Sequence, residues 1–103
     1  MYKRQALLIT EFDVDDKRLP SDIPARDQAI ADHARAYLDL TLSYHQVGDV
    51  LTWGLVDKYS WLQNDPARTD HLAKRPLPYD DRYQATPLRQ AMAQAFAAAP
   101  ARS

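Results

Sequence analysis

Acidic and aromatic side chains that could do chemistry lie at the ends of two short apolar segments. Glu11 is the last residue but one of the first segment and Asp13 follows two residues later, so strand alternation predicts both carboxylates on one face. A carboxylate at a strand end can act as a nucleophile, a base or a metal ligand, and two on one face can share a proton. Trp53 ends the second segment, and Trp61 follows eight residues later. Flat rings beside carboxylates suit the apolar faces of sugar rings.

Each of these four residues also has an ordinary structural explanation. Glu11 could simply mark the start of a loop, and Asp13 could be a solvated acid among its acidic neighbours. Tryptophan is often a core residue, so Trp53 and Trp61 could both be buried for packing alone. Type and spacing therefore leave both explanations open for each residue. Glu11 is nevertheless unusual, because the other thirteen acids of the chain are all aspartates.

Composition excludes several classes of protein. The chain has 103 residues, enough for one domain, and a net charge of -1, without the basic excess of a nucleic-acid-binding protein. It has no cysteine, no apolar run that could span a bilayer, and no signal-peptide pattern at its N-terminus. The three histidines lack metal-ligand spacing. We therefore expect neither a nucleic-acid nor a membrane partner, and no metal held by cysteine or by paired histidines.

The pattern of apolar residues predicts a β-α-β-α order. Residues 6–12 and 50–53 are apolar strands, residues 25–47 form a helix with one apolar stripe, and residues 87–99 form a second helix. Pro24 suits the first turn of the long helix, and Gly48 is expected to end it as a left-handed cap. A strand, a helix and a strand in this order predict two parallel strands with a right-handed crossover. Alternation along the first strand predicts one face made of Leu7, Ile9, Glu11 and Asp13.

Two parallel strands and two helices are too few to cover both edges of a sheet. The apolar strand residues are therefore expected to be incompletely buried in a monomer; they are Leu7, Leu8, Ile9, Val50 and Leu51. Residues 54–87 show no sustained period but hold several aromatic residues and prolines, which favours a functional loop over a linker. The chain thus has the pattern of a slice from a larger α/β sheet or barrel.

Three ordered motifs closely resemble glycoside hydrolase family 10, the endo-β-1,4-xylanases. Residues 9–14, I-T-E-F-D-V, resemble the segment around the family's nucleophile, and residues 53–61, W-G-L-V-D-K-Y-S-W, resemble its aromatic segment. Residues 75–80, R-P-L-P-Y-D, with Tyr83 and Pro87, resemble the tail before its last helix. The resemblance runs from about Ala6 to Phe96.

The resemblance implies a partial (β/α)8 TIM barrel, with the chain as the last two β/α units, the seventh and eighth strands each followed by a helix. Residues 1–103 would form the C-terminal part of the catalytic domain. Glu11 would be the nucleophile, and Trp53 and Trp61 would be aromatic walls around the sugar at the cleavage point. Asp13 would hold a histidine from the preceding strand that contacts the nucleophile. The substrate would be xylan or a xylo-oligosaccharide, and the resemblance implies no metal and no organic cofactor.

The chain departs from the family pattern in what it lacks. The family's acid/base glutamate belongs to the fourth strand, and Glu11 is the one glutamate here. A retaining glycosidase needs two carboxyl groups about 5–5.5 Å apart, so we expect the isolated chain to be inactive. Partners would be the N-terminal part of the barrel or a second copy through exposed strand edges. The alternatives are a non-catalytic carbohydrate-binding or assembly piece and a truncated product without independent function.

Overall fold

The computed structural model describes residues 7–64 and 68–101, and the predictions that concern residues 1–6 and Pro66 lie outside these ranges. The main elements in chain order are β1 (Leu7–Phe12), α1 (Ile23–Leu42), β2 (Val47–Thr52) and α2 (Pro87–Ala98). Two short 3-10 helices, Asp57–Tyr59 and Trp61–Asn64, lie between β2 and α2. The predicted β-α-β-α order is confirmed.

Strands β1 and β2 form a parallel two-stranded sheet, as their connection through a helix requires. Leu7 pairs with Val47, Ile9 with Val50, and Phe12 with Thr52. The register shifts twice, once between Leu7 and Leu8 and once between Ile9 and Phe12. Because the strands are parallel, their carboxyl ends lie side by side at Phe12 and Thr52.

Helix α1 begins two residues before its predicted start at Ala25 and ends five residues before its predicted end at Val47. The Asp22 carboxylate accepts a hydrogen bond from the Ala25 amide at 3.0 Å, and Pro24 occupies the first turn. At the other end the Ser43 hydroxyl donates to the carbonyl of Leu40 and competes with the helical backbone hydrogen bonds.

The prediction that Gly48 ends the helix as a left-handed cap is wrong. Gly48 lies within β2, beside the first register shift. The glycine with a positive φ is Gly54, at 101°, directly after Trp53. A Cβ on Gly54 would also lie 3.2 Å from the Leu77 side chain, so this turn needs glycine for conformation and for space.

The hydrophobic core lies between the two helices and one face of the sheet. Its buried members come from all four main elements: Phe12, Ile30, Ala34, Leu38, Leu42, Val47, Leu88, Met92 and Ala95. Leu7, Leu8 and Leu51 remain more than half exposed, and Ile9 and Val50 are partly buried. The prediction that the strand residues are incompletely buried is therefore confirmed.

The segment between β2 and α2 is packed on the body of the molecule. Tyr79 forms bridges with both Val56 and Ala85, and the side chains of Leu62 and Leu77 in the same segment are buried. The sequence does not predict this packing, because the prolines interrupt regular structure and 3-10 helices this short show no repeated spacing of apolar residues. The segment thereby fixes the backbone on both sides of Trp61.

Candidate functional site

Glu11 lies next to the last residue of β1, at a bulge and in a strained backbone conformation. Its φ is 57°, in the left-handed region that residues with a Cβ rarely occupy. Between the paired residues Ile9 and Phe12, strand β1 has one residue more than β2. The Glu11 side chain is exposed at the carboxyl end of the sheet.

The bulge breaks the strict alternation on which the predicted common face of Leu7, Ile9, Glu11 and Asp13 depends. Ile9 and Phe12, three residues apart, both contact the helical core, which strict alternation would not allow. The extra residue in β1 between Ile9 and Phe12 allows both of these apolar side chains to face the helices. The predicted carboxylate at the carboxyl end of the strand is observed, one residue before Phe12.

An open groove of about 400 Å³ runs beside this strand end. Glu11, Asp13 and Asp15 line it from the strand end and the following loop, and His33 and Tyr37 line it from α1. Tyr37 stacks on Phe12, with ring centroids 5.8 Å apart. The groove therefore brings the two predicted carboxylates together at one concave surface.

Asp13 contacts Trp61 directly. The indole Nε1 donates a hydrogen bond to Oδ2 of Asp13 at 2.8 Å. Burial raises the pKa of Asp13 above its ordinary value, the indole hydrogen bond opposes this rise, and the charges of Asp15 and Glu11 add to it. The sequence separates these two predicted residues by 48 positions, so their contact is a product of the fold.

Neither tryptophan belongs to the core, so the packing explanation for both is wrong. Trp53 is 54% exposed and Trp61 is 49% exposed. Trp53 directly follows β2, so Glu11 and Trp53 each adjoin one member of the Phe12–Thr52 pair. Exposed indoles at the carboxyl end of a sheet offer flat apolar surfaces to a ligand.

A buried ionic cluster beneath these loops was not found from the sequence. Asp16 is fully buried, with Oδ2 3.7 Å from Nε of Arg26 and 2.8 Å from the Arg75 amide that donates to it. Arg75 in turn forms an ion pair with Asp27 at 2.6 Å. Arg68 donates to the carbonyl of Asp16 and pairs with Asp70. The cluster fastens the loop after β1 to α1 and to the segment before α2.

Asp57 is a second buried acid that the sequence analysis did not single out. Its Oδ1 accepts a hydrogen bond from the Leu77 amide at 2.8 Å, while no hydrogen-bond donor among the described residues reaches Oδ2. Burial raises the pKa of Asp57 to about 7, against the opposing charge of Arg75. The one signal in the sequence is its place as the lone acid between Trp53 and Trp61.

Among the described residues, no group of three acidic or histidine side chains could hold a metal ion. His33 lines the groove, His45 lies in the turn after α1, and His71 lies in the segment before α2 with a φ of 62°. Within residues 7–64 and 68–101, no helix has the length and apolar character needed to cross a bilayer.

Solved structures with the same fold are xylanases. Xylanase 10B from Thermotoga maritima matches with a TM-score of 0.74 and 24% identity over 89% of this chain and 27% of that chain. An endo-β-1,4-xylanase from Gloeophyllum trabeum matches with a TM-score of 0.75 and 24% identity, over 90% of this chain and 28% of that chain. Xylanase 10C from Cellvibrio japonicus, in complex with xylopentaose, has a TM-score of 0.74 and 21% identity, over 87% and 21% of the two chains.

The chain spans about a quarter of the length of these enzymes, and its fold is a piece of their TIM barrel. A search of curated proteins finds no match. The family model for glycosyl hydrolase family 10 matches residues 4–95, nearly the whole chain. With two parallel strands, two helices and these motifs, this chain belongs to glycosyl hydrolase family 10.

Proposed function

We propose that residues 1–103 are the C-terminal part of a retaining endo-1,4-β-xylanase domain and supply its nucleophile, Glu11. The observation that carries this proposal is the family match together with a lone glutamate at the carboxyl end of the first strand. In a β/α barrel this end of the strands forms the mouth where catalytic groups converge. Xylan or a xylo-oligosaccharide is the proposed substrate, in keeping with the xylopentaose bound by the Cellvibrio japonicus enzyme.

In this reaction the Glu11 carboxylate attacks the anomeric carbon of a xylose unit. The bond from that carbon to the glycosidic oxygen breaks, and a second carboxyl group protonates the leaving oxygen. Water then attacks the glycosyl-enzyme ester, the second group removes the water's proton, and Glu11 leaves as a carboxylate. Trp53 and Trp61 would provide the flat walls of the sugar site, since both rings are exposed at this end of the sheet.

The second carboxyl group would come from the preceding units of the barrel, which a chain spanning about a quarter of its relatives does not include. The isolated chain should therefore bind sugars weakly and hydrolyse none. Loss of general acid catalysis alone typically costs about 10²–10⁴-fold in rate. Half-exposed Trp53 and Trp61 also support the alternative of a carbohydrate-binding piece without catalysis.

The test uses a dinitrophenyl β-xylobioside, whose leaving group needs no protonation. The isolated chain should release no dinitrophenolate above background, because the barrel units that would position the sugar against Glu11 are absent. Co-expression with a polypeptide carrying the first six β/α units should restore turnover. Glu11→Ala should abolish the restored activity, and azide should then attack from the vacated side and give the inverted glycosyl azide. Asp49→Asn, which changes an exposed acid near the start of β2, is the matched control.

Two results would contradict the proposal. Robust turnover by the isolated chain would show that the fragment already holds a complete site. Restored activity that survives Glu11→Ala would remove Glu11 from the nucleophile role. Binding of xylo-oligosaccharide without turnover in the co-expressed assembly would favour the carbohydrate-binding alternative.

A further inference from the structure

The hydrogen bond between Asp13 and Trp61 joins the loop after β1 to the segment after β2. The backbone of Trp61 is fixed on both sides, because Ser60 and Leu62 are buried to 3% and 2% exposure. The Leu62 amide also donates to the Ser60 hydroxyl at 3.1 Å. The indole itself is half exposed, so its remaining freedom is rotation about its side-chain torsions.

Asp13 restrains that rotation. A carboxylate oxygen that accepts from an N–H group makes a charge-assisted hydrogen bond, which is stronger than a neutral one. At 2.8 Å the Asp13–Trp61 contact has the length expected of such a bond. Asp13 lies two residues beyond Glu11, so the same short loop carries the proposed nucleophile and the group that holds the ring.

We propose that Asp13 is a positioning residue for Trp61: it fixes the plane of the indole as a wall of the sugar site and couples that wall to the Glu11 loop. This role uses Oδ2 of Asp13 and differs from the contact with a histidine that the family resemblance implies. The sugar-facing part of the inference rests on the proposed function. The restraint of the ring rests on the observed contact alone.

Other charged groups around Asp13 do not replace it as the acceptor. Glu11 and Asp15 lie on its own segment, and His33 faces the same groove from α1. Asp15 is already engaged by Lys74, whose Nζ lies 3.2 Å from Oδ1. Asp15 is therefore a suitable matched control for the loss of a carboxylate next to the site.

The chain's two tryptophans make the test direct, because a ¹⁵N-labelled sample gives two indole N–H signals, which Trp53→Phe assigns. In the wild-type chain the Trp61 indole proton should exchange with solvent about tenfold more slowly than that of Trp53. Asp13→Ala should remove this protection. Asp13→Asn retains an acceptor oxygen and should restore part of it, while Asp15→Ala should leave it unchanged.

Equal exchange at the two wild-type indoles, or full protection of Trp61 in Asp13→Ala, would overturn the restraint. The dispersion of the amide spectrum shows whether each variant is folded. If Asp13→Ala is unfolded, the exchange rate of the Trp61 indole proton in Asp13→Asn tests the restraint instead. A second measurement adds xylopentaose at millimolar concentration. It should shift the Trp61 signal in the wild-type and Asp13→Asn chains and shift it at least tenfold less strongly in Asp13→Ala.

The two measurements separate the two hypotheses. The first possible result is that protection of the Trp61 indole proton depends on Asp13 but xylopentaose shifts neither indole signal. This result would contradict the sugar-binding role of Trp61 in the proposed function, and with it the inference that Asp13 positions a wall of the sugar site. An equal xylopentaose effect in wild type and Asp13→Ala would contradict the positioning role and leave the sugar site intact.

Discussion

Glu11 combines an exposed carboxylate with a φ of 57°, and the surrounding structure must maintain this conformation against its cost. A non-glycine residue in the left-handed region is strained by about 1–3 kcal/mol, and such strain tends to cluster at functional sites. On one side, Phe12 is anchored in the core, and on the other the Val14 amide donates to the carbonyl of Pro76 at 3.1 Å. The strain is thus consistent with a residue kept for chemistry at some expense of stability.

The strain predicts opposite effects for glycine at two neighbouring positions. Glu11→Gly should raise the free energy of unfolding by roughly 1 kcal/mol, because glycine adopts a positive φ at no steric cost. Thr10→Gly, in the same strand but without a positive φ, should lower it by roughly 1 kcal/mol. Urea unfolding followed by tryptophan fluorescence, at concentrations below those at which the chain associates, measures both. A loss of stability in Glu11→Gly as large as that in Thr10→Gly would contradict the strain.

Asp57 connects the first 3-10 helix to the segment that precedes α2. The first 3-10 helix begins at this residue, and its carboxylate caps the amide of Leu77, twenty positions along the chain. Leu77 in turn packs against Gly54, next to Trp53. A buried carboxylate with one unpartnered oxygen therefore lies under the segment that carries both tryptophans. Its ionisation should be costly for the folded chain.

The raised pKa of Asp57 predicts a pH dependence with a definite sign. The folded chain binds this proton with a pKa of about 7, and an unfolded aspartate has a pKa of about 3.9. Protonation thus favours the folded state, and the Asp57 contribution falls as the pH rises from about 4 to about 7. Asp57→Asn removes this titration, so the variant should become more stable relative to wild type as the pH rises. The gain in relative unfolding free energy should reach up to roughly 4 kcal/mol across this range. Asp49→Asn, at an exposed acid, is the control variant. A difference between Asp57→Asn and wild type that stays constant with pH would contradict the raised pKa of Asp57.

At the scale of elements, the sequence predicts what depends on local patterns. The order of strands and helices, the place of Pro24 in the first turn of α1, and the place of Glu11 near a strand end all follow from the apolar period and the preferences of the first helical turn. The bulge before Phe12 does not, because strand alternation contains no signal for an inserted residue. The Asp13–Trp61 contact joins residues 48 positions apart, and the Asp16–Arg26 pair joins a loop to a helix, so neither contact has a local pattern in the sequence that would predict it.

The whole molecule leaves one side of its sheet uncovered. The helices pack on the face that holds Ile9 and Phe12, and Leu8 and Leu51 are 56% and 53% exposed. In a closed barrel every strand has two neighbours and the inner face is filled by side chains from other strands. Here β1 and β2 are the whole sheet within the described residues, so each strand has one unpaired edge.

These surfaces predict self-association of the isolated chain. Burying apolar area contributes roughly 25 cal/mol per Å², so covering several exposed leucines is worth several kcal/mol. Sedimentation at micromolar concentration should show oligomers, and Leu8→Lys combined with Leu51→Lys should shift the chain toward monomer by placing charges on the uncovered face. Leu40→Lys changes a leucine that is 67% exposed on α1, away from the sheet, and should leave the association unchanged. A wild-type chain that sediments as a single monomer and melts in one sharp transition would show that these elements form a self-sufficient fold. If Leu40→Lys alone dissociated the oligomer, the association surface would lie on the helices and not on the sheet.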